Sequence, residues 1–176
     1  MNLEDSLKLF LRYLFLVLIA LPGLLIFYFI FTPLTVYPVY WILSIFYHGI
    51  TLSNEYIIFN SYSIQLIPAC IAGSAYYLLL ILNLATPMNP KMRIKSLSFT
   101  ILSLLVLNIA RIVVFTALFV TGYQYFDFTH KLVWNLGSTV LVVAIWFANV
   151  YLFRIKAIPG YTDLKNIFHS IKRGKQ

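Results

Sequence analysis

The chain has 176 residues, of which 61% are hydrophobic and only 10% charged, and its mean hydropathy of +0.88 excludes a soluble globular domain. Thirteen Lys and Arg against five acids give a net charge of +8, but the cations gather beside apolar runs, which is a membrane-topology pattern and not a nucleic-acid-binding one. A single cysteine excludes an internal disulfide and a two-cysteine redox centre, and at this length one helical membrane domain fills residues 1–176.

In chain order, residues 1–12 are short and mixed, with Glu4, Asp5, Lys8 and Arg12. Residues 13–32 read as a first span, too long for a signal-peptide core, without an A-x-A cleavage pattern after it, and kinked at Pro22. After Pro38 the uninterrupted apolar stretch is only about a dozen residues, a length that suits an interfacial segment. Tyr37, Tyr40, Ser44, Tyr47 and His48 recur on one side of it and Val39, Ile42, Leu43, Phe46 and Ile50 on the other, so residues 38–50 read as an outer interfacial helix. Should they cross instead, the N-terminus changes sides and the rest of the topology stands. Residues 56–59 and 62–66 are short, β-branched and aromatic around Asn60-Ser61, a small β-hairpin placed outside the hydrocarbon because open strand edges are not tolerated facing lipid.

Residues 66–85 form the second span and end in a proline-rich turn over 86–90. Lys91, Arg93 and Lys95 then mark the cytoplasmic side. Residues 97–120 are the third span, 121–131 an outer loop, and 132–153 the fourth span. The tail over 157–176 carries Leu164, Ile167, Phe168 and Ile171 beside Lys165, Lys172 and Arg173, the pattern of a basic amphipathic helix on the inner leaflet. The expected fold is therefore all-α, with four transmembrane helices, an interfacial helix and a hairpin.

This topology brings three residues to the outer end. Cys70 opens the second span within Ile67-Pro68-Ala69-Cys70-Ile71-Ala72-Gly73-Ser74, where the unpaired N–H groups of a first helical turn favour a thiolate. It can equally be a packing residue, since Ala69 and Gly73 make a small-xxx-small face. Arg111 lies in the outer half of the third span, where a charge costs several kcal/mol and so marks a functional site or a structural pairing, for instance with Asn108. His130 precedes the fourth span, with Asp127 three residues earlier as a hydrogen-bonding or capping partner. His48 and His169 have no ligand-like neighbours, so no metal or other cofactor is expected. A thiolate, an imidazole and a cation at one depth fit acyl transfer: attack on a peptide carbonyl, proton transfer, and stabilisation of the tetrahedral oxyanion.

Ala69-Cys70-Ile71-Ala72-Gly73, Asn108-Ile109-Ala110-Arg111-Ile112 and Phe128-Thr129-His130 before a final span occur in the order and spacing of the exosortase and archaeosortase membrane enzymes. The chain resembles that family over roughly residues 30–155, and with Ile158-Pro159-Gly160-Tyr161 it is most similar to a small archaeal branch. It departs from the family where Ile71-Ala72-Gly73 stands in place of Ser/Thr-Gly-Ile. The resemblance implies a cysteine transpeptidase in the cell membrane, working on the extracytoplasmic side with Cys70 as nucleophile, Arg111 as oxyanion stabiliser and His130 as general acid/base. Its implied partners are secreted proteins with a C-terminal signal of a short motif, a transmembrane helix and a basic cluster. A membrane lipid or other amine, or water, would resolve the thioester. The rival expectation is a non-enzymatic carrier or assembly subunit in which Arg111 binds an anionic group.

Overall fold

The computed structural model describes residues 24–59 and 62–155, with Leu7, Phe10, Leu11, Leu14, Val17 and Leu18. The expected kink at Pro22 and the amphipathic tail lie outside the described residues.

Four helical stretches are long and apolar enough to cross a membrane. Helix α1 (Leu25–Phe46) is one continuous helix of 22 residues, which corrects both the first span over 13–32 and the separate interfacial helix over 38–50. Pro33 and Pro38 lie inside it without ending it. Proline is tolerated in membrane helices, where neighbouring elements compensate the lost backbone bond. The buried residues Phe27, Phe31, Thr35, Val36, Val39 and Leu43 form one helical stripe through both prolines. Packing along that stripe outweighs local breaking. Of the tyrosines expected on one side of an interfacial helix, Tyr37 is exposed, whereas Tyr40 and Tyr47 are partly buried and pack against the core.

Only Tyr47–Ile50 separate α1 from the three-stranded antiparallel meander β1 (Thr51–Ser53), β2 (Tyr56–Ile58) and β3 (Ser63–Gln65). The expected hairpin is β2–β3; β1 is additional. Thr51 pairs with Ile58 and Ser53 with Tyr56, around a turn in which Asn54 has φ +54°, a left-handed conformation that asparagine accepts readily. Ile57 is fully buried and Leu66 nearly so, which fastens the sheet to the bundle.

The second span divides into α2 (Pro68–Ile71) and α3 (Gly73–Ala85). Helix α4 (Pro90–Val120) then runs for 31 residues, starting earlier than residue 97, so that Lys91, Arg93 and Lys95 belong to its first turns. The last of the four candidate spans joins α5 (Phe126–Leu132), a π-helical turn over Val133–Gly137 and α6 (Ser138–Leu152). His130 therefore sits on a helix and not in a loop. Helix α4 packs against α1, α3 and α6 and is the centre of the bundle. Phe31 stacks on Tyr76 with ring centroids 3.6 Å apart, locking α1 to α3.

At the opposite end from the sheet, Arg93 turns back onto the last turn of α3, donating to the carbonyls of Asn83 at 3.0 Å, Leu84 at 3.2 Å and Thr86 at 3.3 Å. A cation satisfies the orphan carbonyls where the helix dipole is negative. Asn83 Nδ2 donates to Ser96 Oγ at 2.7 Å, both residues being fully buried. Arg93→Met, which keeps the stem and removes the donors, is expected to cost about 2 kcal/mol, read as a lowered denaturation midpoint of the purified protein in detergent.

Candidate active site

Helix α2 is a single turn with Pro68 at its start, preset for helical φ. It closes on Ala72, whose φ of +62° is left-handed, with the Ala72 N–H donating to the Pro68 carbonyl at 3.2 Å. Ala72 is both the end of α2 and the cap of α3, so the chain makes an elbow and Cys70 sits just before it. Cys70 thus lies in the first turn of the second candidate span, Pro68–Ala85, as expected, and that span bends at Ala72. An alanine pays roughly 1–2 kcal/mol in this conformation, and the resembled signature carries glycine at this position. Ala72→Gly is expected to raise stability by about 1 kcal/mol after the added unfolded-state entropy is counted, measurable as a higher midpoint in the same detergent assay. Gly73 needs its lack of a side chain for another reason, because a Cβ there would lie 2.7 Å from the ring of Tyr28.

Asn108, 1% exposed, reaches from α4 to hold the elbow. Its Nδ2 donates to the Cys70 carbonyl at 2.9 Å and approaches the Ile71 carbonyl at 3.4 Å. Asn108 is thus tied to the backbone of the cysteine turn and is not the partner of Arg111. One turn further along α4, Arg111 donates from Nη1 to Ser138 Oγ at 2.7 Å. Ser138 carries no signal in the sequence; the π-helical turn before it, where the Ser138 N–H bonds the Val133 carbonyl, brings it to this position.

Cys70, Arg111 and His130 line one cavity of about 280 Å³ at the sheet end of the bundle. Arg111 and Cys70 are each partly buried, and no carboxylate is among the residues lining the cavity. Its walls are mostly apolar and aromatic, including Phe115, Phe119, Phe126 and Trp134. His130 is held by rings: Phe126 stacks on it at 5.4 Å, Trp134 at 6.3 Å, and Phe115 meets it edge-on at 5.3 Å. The imidazole faces the same space as the thiol without a hydrogen bond to it. Asp127 stands in the first turn of α5, exposed, makes no capping hydrogen bond and is not in the cavity wall. Its expected support of His130 is replaced by aromatic packing. Among the described residues no cluster of His, Cys, Asp or Glu has the makings of a metal site.

Chemically, the cavity offers a nucleophile, a fixed cation and a proton carrier with few competing polar groups. No protein family, curated protein or solved structure matches the chain.

Proposed function

We propose that the protein is a membrane cysteine acyltransferase of the exosortase and archaeosortase kind, acting on peptide bonds of secreted proteins. The observation that carries this reading is the cavity lined together by the only thiol of the chain, an arginine and an imidazole, drawn from α2, α4 and α5, with no carboxylate among the described residues of its wall. An ionisable residue within a membrane bundle is costly, and a retained one points to function.

In the proposed reaction Cys70 Sγ attacks the scissile carbonyl carbon, and the carbonyl oxygen gains the negative charge. The Arg111 guanidinium stabilises that oxyanion in a largely apolar pocket, where charge interactions are strong. His130 takes the thiol proton and delivers it to the departing amine as the C–N bond breaks, leaving a Cys70 thioester. A second amine, from a lipid or other acceptor, or water then attacks the thioester and restores the thiol. Lys91, Arg93 and Lys95 lie at the start of α4 and the cavity near its end, and by the positive-inside tendency this supports an extracytoplasmic site.

The test is to isolate the protein from cells that make its substrates and analyse the Cys70 peptide by mass spectrometry. A peptide-sized adduct that hydroxylamine removes is expected on Cys70 of the wild-type protein and is expected to be lost in His130→Ala, which removes the group that carries the proton in the acylation step. A Cys70 that is unmodified in every preparation, with secreted proteins processed normally in cells carrying Cys70→Ala, would refute the reading.

A further inference from the structure

The strand that leads into the cysteine turn forms a wall of the cavity, and its outer edge is unpaired. The sheet order β1-β2-β3 leaves β3 at one border. Phe59 N–H donates to the Tyr62 carbonyl at 2.7 Å and Leu66 N–H to the Glu55 carbonyl at 2.9 Å, so those two pairs are hydrogen-bonded. Hydrogen-bonded and non-bonded pairs alternate in an antiparallel ladder. Ile64, opposite Ile57, therefore bonds to β2, whereas Ser63 and Gln65, opposite Ile58 and Tyr56, direct their N–H and C=O groups away from it. Among the described residues nothing hydrogen-bonds to those groups.

Successive residues of a strand point to opposite faces, so a pocket against one face would touch alternate residues. Ser63, Ile64, Gln65, Leu66 and Ile67 all line this cavity consecutively, which places the cavity along the strand's edge. Natural edge strands are blunted by lysine, proline or bulges. β3, Ser63-Ile64-Gln65, has no lysine or proline. Phe119 and Phe126 also line the cavity, and Tyr62, just before β3, meets Phe119 edge-on at 5.7 Å. A neighbouring strand needs a spacing of only about 4.8 Å from β3, whereas the sheet edge of a second copy would bring its whole sheet into a space of about 280 Å³.

We infer that β3 is the substrate-docking edge: an extended segment of the substrate polypeptide pairs with the free backbone groups of Ser63 and Gln65 and so presents its scissile carbonyl to Cys70. The inference rests on the peptide-acyl-transfer reading above. Main-chain pairing supplies affinity with little dependence on side chains. Specificity then falls to the aromatic residues of the cavity wall.

The test uses the full chain in nanodiscs and a capped tetrapeptide of valine, threonine, valine and cysteine, joined to Cys70 by a disulfide so that the peptide is at millimolar effective concentration. Residue-resolved hydrogen exchange is the readout. The Ser63 and Gln65 amides are expected to slow about tenfold, as for an edge about 90% paired, with Ile64 unchanged; a tether N-methylated along its backbone should give no protection. Absence of slowing, or equal slowing with the N-methylated tether, would overturn docking at β3 while leaving the thiol chemistry standing. If Cys70 accepts no tether, the reactive-thiol reading fails separately. Docking is then decided by the same measurement on Cys70→Ala with the free peptide at millimolar concentration, protection of Ser63 and Gln65 supporting it and its absence overturning it. Gln65→Pro removes one outward N–H without touching the β2 ladder and should abolish the protection at Ser63, whereas Gln65→Ala should retain it.

Discussion

Cys70→Ala is expected to abolish processing of substrate, by roughly 10³-fold or more in rate, without unfolding the protein. The thiol makes none of the hydrogen bonds that hold the elbow; those run through the Cys70 and Ile71 carbonyls to Asn108, and the Cys70 N–H bonds the Ile67 carbonyl at 2.8 Å. All of these survive in alanine. Removing a partly buried sulfur costs on the order of 1 kcal/mol, too little to empty the folded state. Cys70→Ser should be almost as inactive, because a hydroxyl is a far weaker nucleophile than a thiol near neutral pH and is a worse leaving group from an ester than sulfur from a thioester. The measurement is the appearance of processed secreted protein in cells complemented with each variant, beside the denaturation midpoint of the same variant. A carrier or assembly subunit tolerates both substitutions, so full processing by either variant decides for that alternative.

Hydropathy and charge made the bundle legible because crossing a membrane imposes long apolar runs and an asymmetry of cations, both written directly in residues such as Lys91, Arg93 and Lys95. What they left unread has local causes. Pro33 and Pro38 break helices in water, and only the buried stripe from Phe27 to Leu43 shows why α1 continues through them. β1 is three residues long and depends on pairing with β2, not on any pattern of its own. The elbow depends on one left-handed residue, Ala72, in a sequence where Gly73 beside it looks the better candidate. The three cavity residues were named from chemistry and depth. Of their supports, Asn108 was named as a pairing for Arg111, whereas it bonds the backbone of a residue 38 positions away, and Ser138 was not named because its place depends on a π-helical turn. The rings of Phe115, Phe126 and Trp134, which carry no polar signal in the sequence, hold His130.

Arg111 offers the second large effect, and one in which activity and stability are expected to move in opposite directions. Arg111→Met should lower the rate of acyl transfer by about 10²–10³-fold, the loss seen when a single oxyanion donor is removed. The same substitution should raise the denaturation midpoint, because it replaces a partly buried charge that has Ser138 but, among the described residues of the cavity wall, no counter-ion with an apolar side chain of similar length. Burying a charge without an opposite charge is unfavourable, and apolar replacement of buried ionic groups is often stabilising. Arg111→Lys keeps the charge and loses the planar fork that can hold Ser138 and an oxyanion together. It should therefore keep a measurable part of the activity and lie between wild type and Arg111→Met. Ser138→Ala leaves the guanidinium in the cavity and removes only its anchor, so a loss of about tenfold is expected, from poorer positioning. A structural arginine gives the reverse pattern: Arg111→Met and Ser138→Ala would both lower the midpoint, and activity would fall only as far as the folded fraction does. Measuring rate and midpoint on the same four proteins therefore separates an arginine kept for its charge on the reacting atoms from one kept to hold α4 against α6.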